Sequence, residues 1–184
     1  DLKDDYLNLE NGTFHLPSGK MLPHKGQDLL TRSMPTVYDE SAECSRWMQF
    51  LDEVQPKPEI QDYLQEIAGL CITGRRTEHI LAVFFGTGRN GKSVFVDTLK
   101  AVLGDYATSA PETLLVSSGT SEHPTQIAML SGRRFVSVSE TSGHKKLVTD
   151  RVKSLTGDKD IQGRWMQGNF FPVRLTQTFC LITN

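Results

Sequence analysis

Cysteine is scarce in this 184-residue chain, and the three present are scattered. Cys44, Cys71 and Cys180 form no CxxC pair. That excludes a disulfide frame or a zinc ribbon and leaves reduced thiols acting as small apolar side chains. His15, His24 and His79 likewise show no ligand spacing. No apolar run is long enough to span a bilayer, and residues 1–5 are too acidic to open a secretory or transit segment. No membrane association and a reduced, cytoplasmic setting are therefore expected. A large net charge is also missing: 20 Lys+Arg stand against 22 Asp+Glu, a formal net charge of −2. Hydrophobic content of 38% and charged content of 23% suit a globular chain with one substantial core.

The small net charge hides an asymmetry. Residues 1–80 carry 8 Lys+Arg and 14 Asp+Glu, whereas residues 131–184 carry 9 and 4. A basic C-terminal third on an acidic chain points to a polyanion partner, although a solvated charged face would look the same.

What is present is a phosphate-binding pattern. Residues 79–85 are an apolar run of strand length. They enter Gly86-Thr87-Gly88-Arg89-Asn90-Gly91-Lys92-Ser93, and a helical pattern leaves it from Val94. The loop fits G-x-x-x-x-G-K-[ST]. Its amides must turn inward around a phosphate, and glycine permits the dihedrals and the close approach. The following helix points its N-terminus at the same anion. Gly86 through Val94 are thus the candidate nucleotide-binding residues. Lys92 supplies charge to the β- and γ-phosphates, and Ser93 a hydroxyl to Mg²⁺. Gly86, Gly88 and Gly91 also fit G-x-G-x-x-G, whose dinucleotide reading wants an acid about 20 positions on, at the tip of the next strand. Asp105 follows Gly104 at a helix end instead, and Lys92-Ser93 would have no task in that reading.

Before the loop, Tyr6-Leu7-Asn8-Leu9 and Thr13-Phe14-His15-Leu16 predict a hairpin turning at Asn11-Gly12, with a second turn at Ser18-Gly19. A helix is expected after Asp39 or Ser41, with Trp47, Phe50, Leu51 and Val54 on one face. Pro56 and Pro58 break it. A second helix carries Ile60, Tyr63, Leu64, Ile67 and Cys71 inward and ends at Gly74. The chain thus divides into a small β-hairpin appendage (1–38), a helical lead-in (39–76) and a P-loop core (77–184). The fold class is α/β, a parallel sheet between helices.

After the loop helix, residues 106–109 predict a short strand, 111–115 a helical turn, 117–121 a flexible loop and 124–130 a short helix. Residues 134–139 are an apolar strand ending in Glu140. A carboxylate at such a tip, beyond the carboxyl end of a parallel strand, is what a Walker B segment needs to bind Mg²⁺ and polarise water. Residues 145–155 predict a helix with Leu147, Val148, Val152 and Leu155 inward. Residues 161–173 predict a hairpin with a basic and aromatic tip. There Arg164 suits a nucleic-acid phosphate and Trp165 a base or sugar, with Trp165 as core the alternative. Residues 178–183 predict a strand, with Asn184 at the position of a γ-phosphate sensor.

These pieces in this order resemble the superfamily 3 helicases, and within them the helicase part of the phage/plasmid and poxvirus-type primase-helicases. The residues that carry the resemblance are GTGRNGKS (86–93), RRFVSVSE (133–140), KSLTGDKDIQGR (153–164) and TFCLITN (178–184), with LENGTFHLPSGKMLPH upstream. The resemblance implies an AAA+-like P-loop NTPase fold and a ring, usually hexameric, around single-stranded DNA, with a primase domain or subunit as partner. It implies a phage or mobile-element origin in a bacterial host. By position it makes Lys92, Glu140 and Asn184 catalytic, Ser93 and Glu140 the Mg²⁺ ligands, ATP the nucleotide, and Lys153, Arg164 and Trp165 DNA-binding. Ser139 departs from the paired acids of many relatives. An arginine finger and a strand flanking the P-loop strand are implied beyond Asn184, so this stretch alone is expected to bind ATP and hydrolyse it poorly. The rival readings are a small-molecule P-loop kinase and an ATP-binding assembly module.

Overall fold

A computed structural model describes residues 4–117, 124–140 and 146–184. The expected loop at 117–121 and the expected helix start at Lys145 lie largely outside them. Strands β1 (Tyr6–Leu9), β2 (Gly12–His15) and β3 (Lys20–Leu22) form an antiparallel sheet. Helices α1 (Ser45–Val54) and α2 (Pro58–Thr73) follow. Then come β4 (Leu81–Phe85), α3 (Lys92–Leu103), β5 (Ala107–Ala110), α4 (Pro124–Ala128) and β6 (Phe135–Ser139). The chain finishes with α5 (Thr149–Gly157), β7 (Asp160–Arg164), β8 (Phe170–Arg174) and β9 (Thr178–Thr183).

The main sheet runs β4-β9-β6-β5 and every pairing in it is parallel. Parallel strands are covered on both faces, so β6 is buried from Phe135 to Val138 and β9 from Phe179 to Leu181. Period-two alternation sends their side chains to two separate cores. Ala82, Phe135 and Cys180 join α1, α2 and α3 in one cluster. Val136, Val138, Phe179 and Leu181 join Leu114, Leu155 and Val173 in the other. Because the strands are parallel, the carboxyl ends of β4, β9 and β6 lie at one edge of the sheet, where a ligand would sit.

The N-terminal sheet is packed into the first cluster through Leu7 and Leu9. Arg134, only 4% exposed, ties it down. Its guanidinium donates to Tyr6 O at 2.6 Å and to Ile72 O at 2.5 Å, and stacks 4.6 Å from the Tyr106 ring. Burial pulls the Arg134 pKa down, opposed by Tyr106, Asp4 and Asp5. Arg174 adds an ion pair to Asp4 at 2.8 Å.

Several boundaries differ from expectation, each for a local reason. The first turn is Glu10-Asn11, and Gly12 belongs to β2. The Asn11 amide instead clasps the Tyr38 backbone, donating to its oxygen at 2.9 Å and accepting from its N–H at 3.0 Å. Helix α1 begins at Ser45 rather than after Asp39 or Ser41. Asp39 accepts from the Ser41 N–H and hydroxyl at 2.8 and 2.7 Å, which closes a turn before the helix. Gly74, at φ 59, closes α2 as expected, whereas Pro58, expected to break the first helix, is the first residue of the second. Its inward face is Leu64, Ile67 and Cys71, while Ile60 and Tyr63 are exposed. Tyr106 sits in a 3-10 turn, and β5 starts one residue later. Helix α5 starts at Thr149, because Val116 and Leu147 pair as a bridge ahead of it. Leu147 is consequently exposed.

Candidate functional site

The loop between β4 and α3 is built by backbone that few side chains tolerate. Gly86 has φ 148, Arg89 has φ 64 and Gly91, the residue that opens α3, has φ 83. At Gly91 a Cβ would come within 2.7 Å of Val54 Cγ1 and 3.2 Å of Phe50 Cε2. The end of α1 therefore packs directly on this glycine loop. Lys92 folds back into the loop, donating to Gly86 O, to Thr87 O at 3.2 Å and to the Asn90 amide oxygen at 3.1 Å. Three neutral oxygens hold one ammonium.

A cavity of about 380 Å³ opens beside the loop. Gly88, Arg89, Asn90, Gly91, Lys92, Ser93 and Val94 line one side, and Ser139, Glu140, Ile182, Thr183 and Asn184 the other. The parallel register explains this meeting. Ser139 is opposite Ile182, and the Glu140 N–H donates to Ile182 O at 2.9 Å. The tips of β6 and β9 are thus held level, facing the start of α3. Lys92, Ser93, Glu140 and Asn184, read separately from the sequence, come together here. Gly86 and Thr87 lie behind them, with their carbonyls on Lys92.

One residue at this site escaped the sequence reading. The Thr183 hydroxyl donates to Glu140 Oε2 at 2.5 Å. The signal was available in principle: in a parallel pair with Ser139 opposite Ile182, Glu140 and Thr183 emerge on the same face. Among the described residues, no group of three His, Cys, Asp or Glu could hold a metal ion. An Mg²⁺ here would rest on the Ser93 hydroxyl and the Glu140 carboxylate. Those are hard oxygen donors of the kind this cation takes, with phosphate and water completing its shell.

The nucleic-acid candidates do not line the cavity. Arg164 and Trp165 stand at the end of the β7–β8 hairpin, and Lys153 on the exposed side of α5. Trp165 is 51% exposed, Met166 78% and Phe170 57%. The Arg164 guanidinium stacks 4.8 Å from the Phe170 ring. The tip is therefore a wet aromatic and cationic surface, against the alternative that Trp165 is core. The neighbouring Arg151 donates to Thr113 O and serves the fold.

A family model described as "Family of unknown function (DUF5906)" matches residues 84–184, more than half of the chain. A second, "D5 N terminal like", matches residues 1–56. A candidate helicase, L207/L206 of Acanthamoeba polyphaga mimivirus, is 29% identical over 170 residues, covering 88% of this chain and 18% of that protein. A candidate primase, C962R of African swine fever virus (isolate Tick/Malawi/Lil 20-1/1983), is 23% identical over 193 residues, covering 100% of this chain and 20% of that protein. The chain thus spans about a fifth of the length of these relatives. Among solved structures, the apo C-terminal region of NrS-1 superposes with a TM-score of 0.60 at 15% identity, covering 99% of this chain and 41% of that one. Its A form gives 0.59 at 18% identity, covering 84% and 34%. That likeness is one of fold, a mixed α/β architecture with a parallel sheet. Among the described residues, no helix is long and apolar enough to cross a membrane. The sequence resemblance to viral primase-helicases holds across these comparisons, and by the match over residues 84–184 the chain belongs to the family of unknown function DUF5906.

Proposed function

We propose that this chain is the ATP-hydrolysing motor segment of a DNA-replication primase-helicase, a P-loop NTPase of AAA+ type that moves single-stranded DNA. One observation carries the reading: Lys92, Ser93, Glu140 and Asn184 line one cavity at the strand tips. The names of the viral relatives, one a helicase and one a primase, support the same class. The three-part division at 38 and 76 belongs to this proposal, with the motor core at 77–184.

Phosphoryl transfer asks little covalent chemistry of a protein; positioning and charge stabilisation supply the catalysis. The loop amides and the N-terminus of the 12-residue α3 receive the phosphates. Lys92 exchanges its three neutral oxygen partners for phosphate oxygens, a stronger charge-assisted contact. Asn184 meets the γ-phosphate and Glu140 orients the attacking water. Ser93 and Glu140 would hold Mg²⁺, which when bound neutralises charge on the phosphates. A neighbouring subunit of a homo-oligomeric ring, hexameric by the family resemblance, supplies an arginine to the site. At the hairpin, Arg164 and Lys153 take DNA phosphates and Trp165 stacks on a base.

The test is ATP turnover with and without single-stranded DNA, with Lys92→Ala as control. Turnover that rises with DNA and vanishes in the variant supports the motor. Turnover indifferent to DNA favours a kinase or an assembly module, and turnover retained by Lys92→Ala refutes the site.

A further inference from the structure

A carboxylate that orients water works only if its own rotation is fixed. An error of about 1 Å in a reacting group costs roughly a hundredfold in rate. Glu140 has a long side chain at a strand tip, where its backbone N–H donates to Ile182 O. Among the described residues, the one side chain that hydrogen-bonds its carboxylate is Thr183, at 2.5 Å. The cavity, the register and this bond lead to one assignment. We infer that Thr183 is a positioning residue, whose hydroxyl fixes the Glu140 carboxylate for water activation.

The geometry explains why threonine suits the place. A β-branched residue in a strand has few χ1 choices, so the hydroxyl direction is set before any ligand arrives. That hydroxyl has one proton. The competing acceptor, the Asn184 carbonyl oxygen, is 3.5 Å away, at the outer limit of a hydrogen bond, so the proton goes to Glu140 Oε2. With Oε2 tied, Oε1 remains as the acceptor for water. Thr183 also precedes Asn184 in the chain. The residue assigned to the γ-phosphate and the residue that holds the water-orienting carboxylate are therefore neighbours in the chain, and their spacing is a property of the end of β9.

This inference rests on the reading of the cavity as an ATP site. Its test compares Thr183→Val, which removes the hydroxyl and keeps the shape, with Thr183→Ser, which keeps the hydroxyl. Each variant is assayed for kcat and KM for ATP, and for binding of a fluorescent ATP analogue. Thr183→Val should lower kcat by about 10- to 100-fold, the range seen when a supporting hydrogen bond to an active-site ligand is lost, with KM within about threefold. Thr183→Ser should recover most of that loss. Unchanged kcat in Thr183→Val overturns the assignment. So does an equal loss in both variants, or a rise in KM at constant kcat. If Thr183→Val does not fold, the Ser variant against Thr183→Ala decides by the same criteria. Absence of ATP binding and turnover in the unaltered chain instead refutes the ATP site, and this role with it.

Discussion

Replacing Gly91 by alanine isolates the contact between α1 and the glycine loop ahead of α3. Two costs add. A non-glycine residue at φ 83 pays about 1–2 kcal/mol for the left-handed backbone. The added Cβ also meets Val54 Cγ1 at 2.7 Å, Val54 Cβ at 3.1 Å and Phe50 Cε2 at 3.2 Å. Val54 is stiff at χ1 and cannot swing away, so overpacking adds about 1–3 kcal/mol. The total is about 2–5 kcal/mol. At about 2–4 °C per kcal/mol for a chain of this size, Tm should fall by about 10 °C, within limits of about 4 and 20 °C. Thermal unfolding followed by circular dichroism reads this directly. The two costs separate in a double variant. Gly91→Ala with Val54→Ala relieves the clash but keeps the backbone strain, so the cycle should show a favourable coupling of about 1–2 kcal/mol. Gly88→Ala is the matched control: its Cβ would meet nothing within 4 Å and its φ is not positive, so its effect should stay within about 0.5 kcal/mol. A Gly91→Ala variant melting within 2 °C of the parent chain, by the lower limit of about 4 °C set above, or a coupling of zero, would refute the packing of α1 on the loop.

Lys92→Ala should abolish ATP turnover while leaving Tm nearly unchanged, because among the described residues Lys92 bonds only to atoms of its own loop; turnover or a large Tm loss would contradict this. Arg164→Ala should weaken single-stranded DNA binding and reduce the salt slope by about 0.7, one phosphate contact, whereas Trp165→Ala should cost about 1–3 kcal/mol with the slope unchanged. Of the three thiols, exposed Cys44 should react with a thiol reagent at pH 8 and buried Cys71 and Cys180 only after unfolding. Burial pushes the Cys71 thiol up to about 12 and raises Cys180 in the same direction. The folded pKa exceeds the unfolded one, so this stabilisation is complete below about pH 8.5 and is lost as pH rises toward 12. Urea unfolding between pH 8 and 11 should show the decline, and Cys71→Ala should flatten it.

The parts of this chain governed by local pattern were legible in the sequence. The apolar run and the helical pattern on either side of the glycine loop gave β4 and α3, because each obeys its own periodicity. The hairpin at 160–174 and the strand at 178–183 were equally plain. Parts set by distant partners were not. Nothing near Arg134 says that its guanidinium will cap Tyr6 and Ile72. Nothing near Leu147 says that it will pair with Val116 and delay α5. The start of α1 was misplaced because Asp39, a good helix cap by type, spends its carboxylate on Ser41. At the site, motif reading found Lys92, Ser93, Glu140 and Asn184 one at a time. It missed Thr183, whose role depends on the register between β6 and β9.

The central claim is that the cavity lined by Lys92, Glu140 and Asn184 takes a nucleoside triphosphate. The most direct measurement is calorimetric titration of the chain with ATP in Mg²⁺, alongside Lys92→Ala. One site per chain, weakened at least tenfold in the variant, is the expected result. No binding to the unaltered chain, or equal binding to both, would contradict it.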